Sequence, residues 1–567
     1  MKKKMFFSMA LAALMLASCS SSDDLNGGET NKNESETSYL AVNIRNVGAA
    51  NSRANSDYED GTADETHIEN VRFYFFNADG TPYILKNNGV STGKNWLDKT
   101  DDLNTENKQT PNVEMISKTV LVIEGNKGAS PATIIAVVNP TTLEDGGLGD
   151  KAYAIDEIKK VSTFSTFKTT ENKNFVMSNS VYVDNGVEKC SSILTDHIQN
   201  TKAAAESNPV DIYVERVNAK VRTSIDANYT SADGRKWTKI QGKDAMKVNT
   251  YGTTDIYAVV DGWGLADEDG KAELFKQVKT TWNDDDLGIK VWTSPDYHRC
   301  FWSSSVPFSS GGAGNGNQPV NHSYTDYTGT QMTTPIYTLP NTADQVSQDP
   351  YNSYLTKMLV AAHLVYEDGD DYKNAEICQY KGLEYFTISD VKKAILTELQ
   401  NDKYSVTTTG SEHNDLVEDN IDFETSSSLK DYEVKAVVKL KANEKLQRNT
   451  STDTSAPVYV DADLTTLNTK LANSPAQIRK DGMTYYFIPI QHLATDPTKL
   501  GYYGVVRNHI YDITIRNMQG YGTPVYDPNK TIDPTIPSNE DTYLAARINV
   551  LSWRVVKQNA DLDKTNK

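Results

Sequence analysis

Short runs of β-branched and aromatic residues, separated by polar segments, recur along the chain. Residues 71–76 form one such run, and the Asn-Ala-Asp-Gly sequence at 77–80 joins it to a second run at 83–85. This arrangement predicts a β-hairpin. Comparable runs lie at residues 119–123, 133–138, 212–214, 256–260, 358–366, 434–440, 485–490 and 510–515. Their composition predicts further strands of a sheet core.

One segment follows a helical period instead. Val391, Ile395 and Leu399 recur every four residues, and Thr387 and Asp390 have the spacing of a capping box. The pattern therefore predicts a single clear helix in a mainly β protein.

The strand runs are numerous enough for two sandwich-like domains, and we expect the boundary between them within residues 213–221. Stretches rich in Ser, Gly, Thr and Asn predict loops at 303–334 and 407–428.

The first residues predict an export signal. Three lysines precede an apolar stretch at 5–16 that is too short to span a bilayer, and Leu-Ala-Ser-Cys follows, ending at Cys19. We expect residues 1–18 to be a signal peptide and Cys19 to accept a lipid; an ordinary cleavage site with a nearby cysteine is the alternative. Residues 20–37 read as a flexible tether, and Asp23 and Asp24 fit either an acidic surface-export signal or plain tether polarity.

Two similar segments lie about 500 residues apart, at 38–44 and 542–548. In each, alternate apolar residues form one row that can be buried in a sheet. The row consists of Leu40, Val42 and Ile44 in the first segment and of Leu544, Ala546, Ile548 and Val550 in the second. Tyr39 and Tyr543 also match between the two segments, just before each row. The two segments could therefore occupy the same groove; chance similarity of two ordinary terminal strands is the alternative.

A small polar stretch at 51–56 surrounds a single arginine, Arg53, as in loops that trypsin-like proteases enter. Cleavage between Arg53 and Ala54 would release the anchor together with the first of the two segments. The sheet would then have an empty place, which the second segment of another copy could fill by β-augmentation.

These features, in this order, resemble the fimbrillins of type V pili from Bacteroidales, in particular the shaft subunits of the short (minor) fimbriae. The resemblance is carried by the lipid-attachment sequence, the arginine, the repeated segment and three further motifs. Those motifs are Tyr-Val-Glu-Arg-Val at 213–217, Val-Val-Arg-Asn-His-Ile-Tyr at 505–511 and Val-Leu-Ser-Trp-Arg-Val at 550–555.

The resemblance implies two transthyretin-like β-sandwich domains with minor helix, at 54–217 and 218–541. It implies a lipidated (palmitate-carrying) propeptide at 19–53 and a C-terminal donor-strand segment at 542–567 that includes Trp553. The implied partners are other copies of the chain, anchor and tip subunits, a processing protease and, before cleavage, the outer membrane. The implied role is a cell-surface fimbria that supports adhesion and biofilm formation.

Composition excludes some functions. A net charge of −19 repels phosphate backbones, so nucleic acid is not expected as a partner. Apart from Cys19, three widely spaced cysteines allow at most one disulfide and have no metal-binding spacing.

Signals for catalysis are weak, so we expect no enzyme activity, no cofactor and no metal. Gly-Val-Ser-Thr-Gly at 89–93 lacks the strand and helix of a nucleophile elbow. His298 with Cys300, and acidic clusters at 284–286 and 368–371, have no complete set of metal ligands.

The alternative function is a surface-anchored glycan-binding lipoprotein. Its aromatic platforms would be sought among Trp237, Trp263, Trp282 and Trp302.

Overall fold

The computed structural model describes residues 35–47, 59–100, 103–106, 113–126, 128–140, 148–164, 174–308, 317–343, 349, 353–408, 412–453, 455–534, 543–551 and 555–557. The chain is mainly β, which confirms the predicted fold class. None of the helices in these ranges is both long and apolar enough to cross a membrane.

In the ranges described, the N-terminal part contains fourteen strands and three short helices. The strands are β1 Ser35–Val47, β2 Val71–Phe76, β3 Lys86–Asn87, β4 Val90–Ser91, β5 Trp96–Lys99, β6 Asn104–Glu106, β7 Val113–Asn126, β8 Thr133–Val138, β9 Ser162–Phe164, β10 Met177–Asn179, β11 Tyr182–Asp184, β12 Val187–Lys189, β13 Ser192–Ile193 and β14 Val210–Arg216. The helices are α1 Ala63–Thr66, α2 Ile155–Lys159 and α3 Lys202–Ser207.

Most of these strands form one nine-stranded sheet in the order β5-β2-β8-β10-β14-β1-β7-β6, with β13 beside β8. Alternate residues of β1, β2, β7, β8 and β14 share one apolar cluster, because successive side chains of a strand face opposite sides. The opposite sides of β2 and β8 contribute to a second cluster that also includes Leu274 and Phe275. The sheet is therefore buried on both faces over its centre.

The next part of the chain runs to residue 374. Its strands are β15 Ala219–Ile225, β16 Trp237–Ile240, β17 Lys243–Tyr251, β18 Thr254–Ala266, β19 Glu268–Asp269, β20 Lys271–Glu273, β21 Thr293–Ser294, β22 Arg299–Cys300, β23 Pro319–Val320, β24 Ile336–Thr338, β25 Asn341–Thr342, β26 Lys357–Asp368 and β27 Asp371–Asn374. Its helices are α4 Asp284–Leu287 and α5 Tyr324–Thr328.

The remaining elements fall into an inserted group and a closing group. The inserted group is β28 Cys378–Tyr380, β29 Leu383–Tyr385, α6 Ile388–Asn401, β30 Tyr404–Thr407, β31 Ile421–Glu424, β32 Lys435–Val438, β33 Lys445–Asn449, β34 Tyr459–Asp461, α7 Leu464–Ala472 and β35 Ala476–Ile478. The closing group is β36 Met483–Pro489, β37 Gly504–Val505, β38 Ile510–Gln519, β39 Thr523–Pro524, β40 Tyr543–Leu551 and β41 Val555–Lys557. Short 3₁₀ turns lie at Pro295–Tyr297, Glu418–Asn420, Lys480–Gly482 and Leu500–Tyr502.

Two sheets form the sandwich of the C-terminal part. One has the order β24-β15-β38-β40-β41, and the other has the order β16-β17-β18-β26-β36-β39 with β27 beside β26. Residues of both sheets join the same apolar cluster, which surrounds the wholly buried Trp263. The apolar faces of the two sheets are thereby removed from water together.

The inserted group, Cys378 to Ile478, has an apolar cluster of its own. Val391, Ile395 and Leu399 of α6 lie in it, and Thr387 caps the helix through a capping box, as the sequence predicted. We call it the third cluster, because it belongs neither to the N-terminal sheet nor to the sandwich, and the sequence did not predict it.

The predicted loops are wrong in part. Residues 303–334 contain β23 and α5, whose first turn is held by a capping box between Ser323 and Asp326. Residues 407–428 contain β31. Both elements are short, and composition dominated by turn-forming residues concealed them.

The motifs at 213–217 and 505–511 meet where β14 leaves the first sheet and β15 enters the sandwich. Glu215 forms an ion pair of 2.8 Å with Lys276, and both side chains are wholly buried. Arg507 donates to the carbonyl of Leu274 at 2.8 Å, and the Asn508 N–H donates to the carbonyl of Asn218. The motifs are therefore joined in space by buried polar contacts.

Helix α1 is tied to the same junction through Glu65, which is 1% exposed. Its carboxylate lies 2.8 Å from Lys220 Nζ and accepts from the Tyr337 hydroxyl, while its backbone carbonyl accepts from Arg216 Nε. Burial alone raises the pKa of the Glu65 carboxyl, but Arg216 and Lys220 together hold that pKa below its ordinary value of 4.5. These contacts form what we call the Glu65 clamp.

Replacement of Ile395 by alanine tests the independence of the inserted group. Because Ile395 is wholly buried in the third cluster, we expect Ile395→Ala to destabilise this group by about 2–5 kcal/mol. Hydrogen exchange should show faster amide exchange within residues 378–478 and little change in the N-terminal sheet. Lys393→Ala, on the exposed side of α6, is the matched control. Equal loss of protection in both parts would contradict a separate core.

The Glu65 clamp predicts a pH dependence of stability. Since the folded-state pKa of Glu65 is lowered, the unfolded chain binds this proton first as the pH falls, and the contribution present above pH 4.5 is lost below it. At pH 7 we expect Glu65→Gln to lower the free energy of unfolding by about 3 kcal/mol, with the difference from wild type shrinking below pH 4.5. Urea denaturation of both proteins between pH 3 and 7 measures this difference in the free energy of unfolding.

Glu206→Gln, on the exposed side of α3, is the control and should change the free energy of unfolding by less than about 0.5 kcal/mol. A constant difference between Glu65→Gln and wild type across this pH range would show that the carboxylate charge is not what stabilises the clamp.

Candidate functional site

The first strand, β1, occupies an interior place in the N-terminal sheet. It runs parallel to β14 over Val42–Asn46 and antiparallel to β7 along its whole length. Its start is also bridged to Gln199, since Tyr39 and Gln199 exchange two backbone hydrogen bonds of 2.7 and 2.9 Å. The first strand of the described chain therefore lies in the interior of the sheet, between β14 and β7.

The predicted apolar row of β1 is deeply buried. Leu40 is 0% exposed and Val42 and Ile44 are each 1% exposed. They pack in the cluster that contains Leu121 of β7 and Ile212 of β14. Without β1, the sheet would have a slot with an apolar floor and unpaired backbone groups on both rims. We call this place the β1 slot.

The chain connecting the slot to the remaining fold contains the predicted cleavage site. β1 ends at Val47 and the described chain resumes at residue 59, so Arg53 and Ala54 lie outside the described residues, as does Cys19. The Glu65 clamp follows immediately. It holds the chain on the C-terminal side of the site by contacts that do not involve β1.

The outer face of the slot is polar. Asn43 donates to Asp211 Oδ1 at 2.9 Å, and Arg45 Nε lies 2.8 Å from the same oxygen. The Arg45 Nε–H makes no hydrogen bond of acceptable geometry, so the second contact is an ion pair. Asp211 also lines a cavity of about 560 Å³, together with Tyr213 and His298.

The matching C-terminal strand, β40, lies on its own sandwich. It pairs antiparallel with β38 from Tyr543 to Leu551, while its other edge pairs, among the described residues, with β41 at Asn549–Leu551. Leu544 is 3% exposed and Ala546 is 0% exposed, and both belong to the sandwich core. Tyr543, Ile548 and Val550 are described only as members of the strand, and Trp553 lies outside the described residues.

The two strands are therefore alike in more than sequence. Leu40 and Leu544, and Val42 and Ala546, are buried residues at the same positions of the repeat. Each strand has one apolar face that covers a sheet core, and both apolar rows have the two-residue period of a β-strand.

The four candidate tryptophans are wholly or partly buried. Trp263 and Trp302 are 0% exposed, and the Trp263 indole donates to the carbonyl of Gln331. Trp237 is half-buried and donates to the carbonyl of Arg516, and Trp282 packs edge-on against Trp292. These positions are structural, which counts against the glycan-binding alternative.

The weak signals for catalysis also have structural roles. Val90–Ser91 pairs with Lys86–Asn87 in a small hairpin, so Ser91 has no helix after it. His298 stacks on Tyr213 with ring centroids 3.6 Å apart, and burial lowers its pKa. Burial raises the pKa of the Cys300 thiol to about 11, which disfavours the thiolate that a metal would need.

The acidic clusters lie in the short helix α4 and at the turn between β26 and β27. The Asp284 carboxylate accepts from the N–H groups of Val291 and Trp292, and Asp368 pairs with Lys373 across the turn between β26 and β27. Within the described ranges, no group of three or more His, Cys, Asp or Glu side chains is arranged to hold a metal ion.

The polar contacts of the slot were missed by the sequence analysis. Asn43 and Arg45 appear unremarkable until β1 is placed next to β14, which lies about 170 residues further along the chain. The one available signal was that the alternate positions of the first segment carry Asn and Arg, side chains that need a polar partner when they are covered.

Solved structures similar to this chain come from Bacteroidales. A fimbrilin from Porphyromonas gingivalis is 12% identical over 92% of this chain and 98% of that chain, with a TM-score of 0.35. A tip fimbrial protein from Porphyromonas gingivalis is 10% identical over 90% and 99%, with a TM-score of 0.28. A fimbrial assembly protein from Parabacteroides distasonis is 11% identical over 62% and 86%, with a TM-score of 0.26.

No curated protein matches the chain significantly. The family described as "Major fimbrial subunit protein type IV, Fimbrillin, C-terminal" matches residues 478–559, a range that includes β36, β38, β40 and the motif at 505–511. Residues 478–559 of this chain are therefore similar to the C-terminal region of fimbrillins, the major fimbrial subunits that this family model describes.

Proposed function

We propose that this protein is a shaft subunit of a cell-surface fimbria. In this proposal the chain is exported as a lipoprotein modified at Cys19 and is cleaved between Arg53 and Ala54. It then polymerises when β40 of one copy enters the vacated β1 slot of the next. The assembled fimbria supports adhesion and biofilm formation, and anchor and tip subunits would end it.

The interior position of β1 is the observation that carries the proposal. A strand between β14 and β7 cannot leave a sheet without exposing its neighbours, yet β1 is joined to the fold through one segment that contains an arginine. A single cut at Arg53 would make β1 a separate peptide, held by non-covalent contacts alone.

The free energies of side-chain burial and of backbone hydrogen bonding favour a filled slot over an empty one. Burial of Leu40, Val42 and Ile44 contributes roughly 5–9 kcal/mol, at roughly 1.5–3 kcal/mol for each side chain. Each backbone hydrogen bond restored on the two rims adds about 0.5–1.5 kcal/mol. An empty slot is therefore a strong acceptor for any strand that presents the same apolar row.

The donor must first leave its own sandwich, where Leu544 and Ala546 are buried. Among the described residues, the pairing of β40 there is less complete than that of β1 in the slot, because β41 pairs with one end of its second edge. The slot offers β7 along the full length and β14 over the second half of the strand. Transfer of β40 thus exchanges one long strand partner for two.

Polymerisation of the purified precursor tests the proposal. After limited digestion with a trypsin-like protease, we expect ladders that resist SDS without boiling. A chain truncated after residue 541 should give monomers only, whereas a chain truncated after Lys557, which keeps β40 and β41, should polymerise normally. Ladders that are unchanged by the truncation at 541 would rule out β40 as the donor.

The cleavage site is tested separately. We expect Arg53→Ala to remain monomeric after digestion and Arg53→Lys, which the same protease accepts, to polymerise like the wild type. Mass spectrometry of the fimbriae on intact cells should find chains that begin at Ala54. Surface fimbriae built from chains that begin at a lipidated Cys19 would overturn the proposed processing.

A further inference from the structure

The polar positions of the two matching strands carry the same two residue types in opposite order. β1 reads Asn43-Ile44-Arg45, and β40 reads Arg547-Ile548-Asn549 at the equivalent positions of the repeat. The central isoleucine belongs to the apolar row, so its two neighbours belong to the opposite face of the strand. Each strand thus carries one amide and one guanidinium side chain on this face, in opposite order along the strand.

In β1 both polar side chains contact the same carboxylate oxygen. Asn43 donates to Asp211 Oδ1 at 2.9 Å, and Arg45 Nε lies 2.8 Å from the same atom. In the ladder, Asn43 lies opposite Asp211 and Arg45 lies opposite Tyr213. Removal of β1 would leave the Asp211 carboxylate without either of these partners.

We propose that Asp211 is the residue that selects the incoming strand, through an ion pair with Arg547 of the neighbouring copy. With β40 in the register and direction of β1, Arg547 takes the place of Asn43, directly opposite Asp211, and Asn549 takes the place of Arg45. The partner is a second copy of this chain, and the inference rests on the proposed exchange of β40 into the β1 slot.

The surroundings of Asp211 fit a longer side chain at the position of Asn43. Asp211 lines the cavity of about 560 Å³ on the outer face of β14, which leaves room for a guanidinium in place of an amide. On the other rim, Asn43 pairs with Lys118 of β7. Because Lys118 is also a cation, it directs the guanidinium of Arg547 towards β14 and its carboxylate.

Two charge-reversed full-length chains test this pairing. In the Asp211→Arg chain, both the slot (position 211) and the donor strand (position 547) carry an arginine. In the Arg547→Asp chain, both positions carry an aspartate. Each chain alone then brings like charges together at every joint. A mixture of the two gives opposite charges at every joint, since each donor meets the other chain's slot.

After protease digestion, we expect each variant alone to polymerise at least about tenfold more slowly than the wild type, because like charges face each other in the joint. The mixture should recover to within about threefold of the wild-type rate, as a copolymer in which the two chains alternate. Light scattering follows the rate, and mass spectrometry of cross-linked dimers reports which chains are neighbours. Asp285→Arg, an equal change of charge on the exposed helix α4, is the control and should polymerise normally.

Wild-type rates for both variants alone would overturn the proposal. The proposal would also be overturned by two results together: the mixture polymerises no faster than either variant alone, and Asp211→Asn polymerises at the wild-type rate. Asp211→Asn keeps the shape of the side chain and removes its charge, so it separates loss of the charge from a disturbance of β14 by a bulky arginine. We expect this variant to polymerise about three- to tenfold more slowly than the wild type. Wild-type chains that polymerise equally well when truncated after residue 541 would instead refute the donor strand itself.

Discussion

Backbone pairing of β1 on both of its edges is the constraint on which the N-terminal part of this protein depends. β14 and β7 are separated by more than 80 residues and do not pair with each other; β1 supplies the partner for both. The apolar row of Leu40, Val42 and Ile44 seals the core beneath them. A sheet built in this way needs a strand at that place, but it does not require that the strand belong to the same chain.

Much of the local structure follows from the sequence pattern alone. The continuous β-branched run at 133–138 is β8, residue for residue, and the capped period at 387–399 is α6. In both cases the signal is local, since the residues that determine the element are the residues within it. The short elements α5 and β31 were hidden because turn-forming residues dominate the stretches around them.

Pairing between distant segments could not be predicted in the same way. Nothing near Asn43 or Arg45 in the chain indicates that Asp211 is their partner, and Glu65 meets Lys220 and Tyr337 only in the folded molecule. The third apolar cluster was missed for a related reason. Its strands are only three to five residues long, and an alternating pattern that short does not reveal which core it faces.

The junction between the two β parts has a consequence for the environments this protein can tolerate. Glu215 with Lys276 and Glu65 with Lys220 are almost completely withdrawn from water, whereas most other ion pairs between described residues lie at the surface. Mobile ions screen exposed charges over about 8 Å at physiological ionic strength but reach buried pairs poorly. The mutual orientation of the two parts is therefore expected to be indifferent to salinity, so that a change in dissolved salt would alter the contacts a subunit makes with its surroundings and leave its internal geometry unchanged.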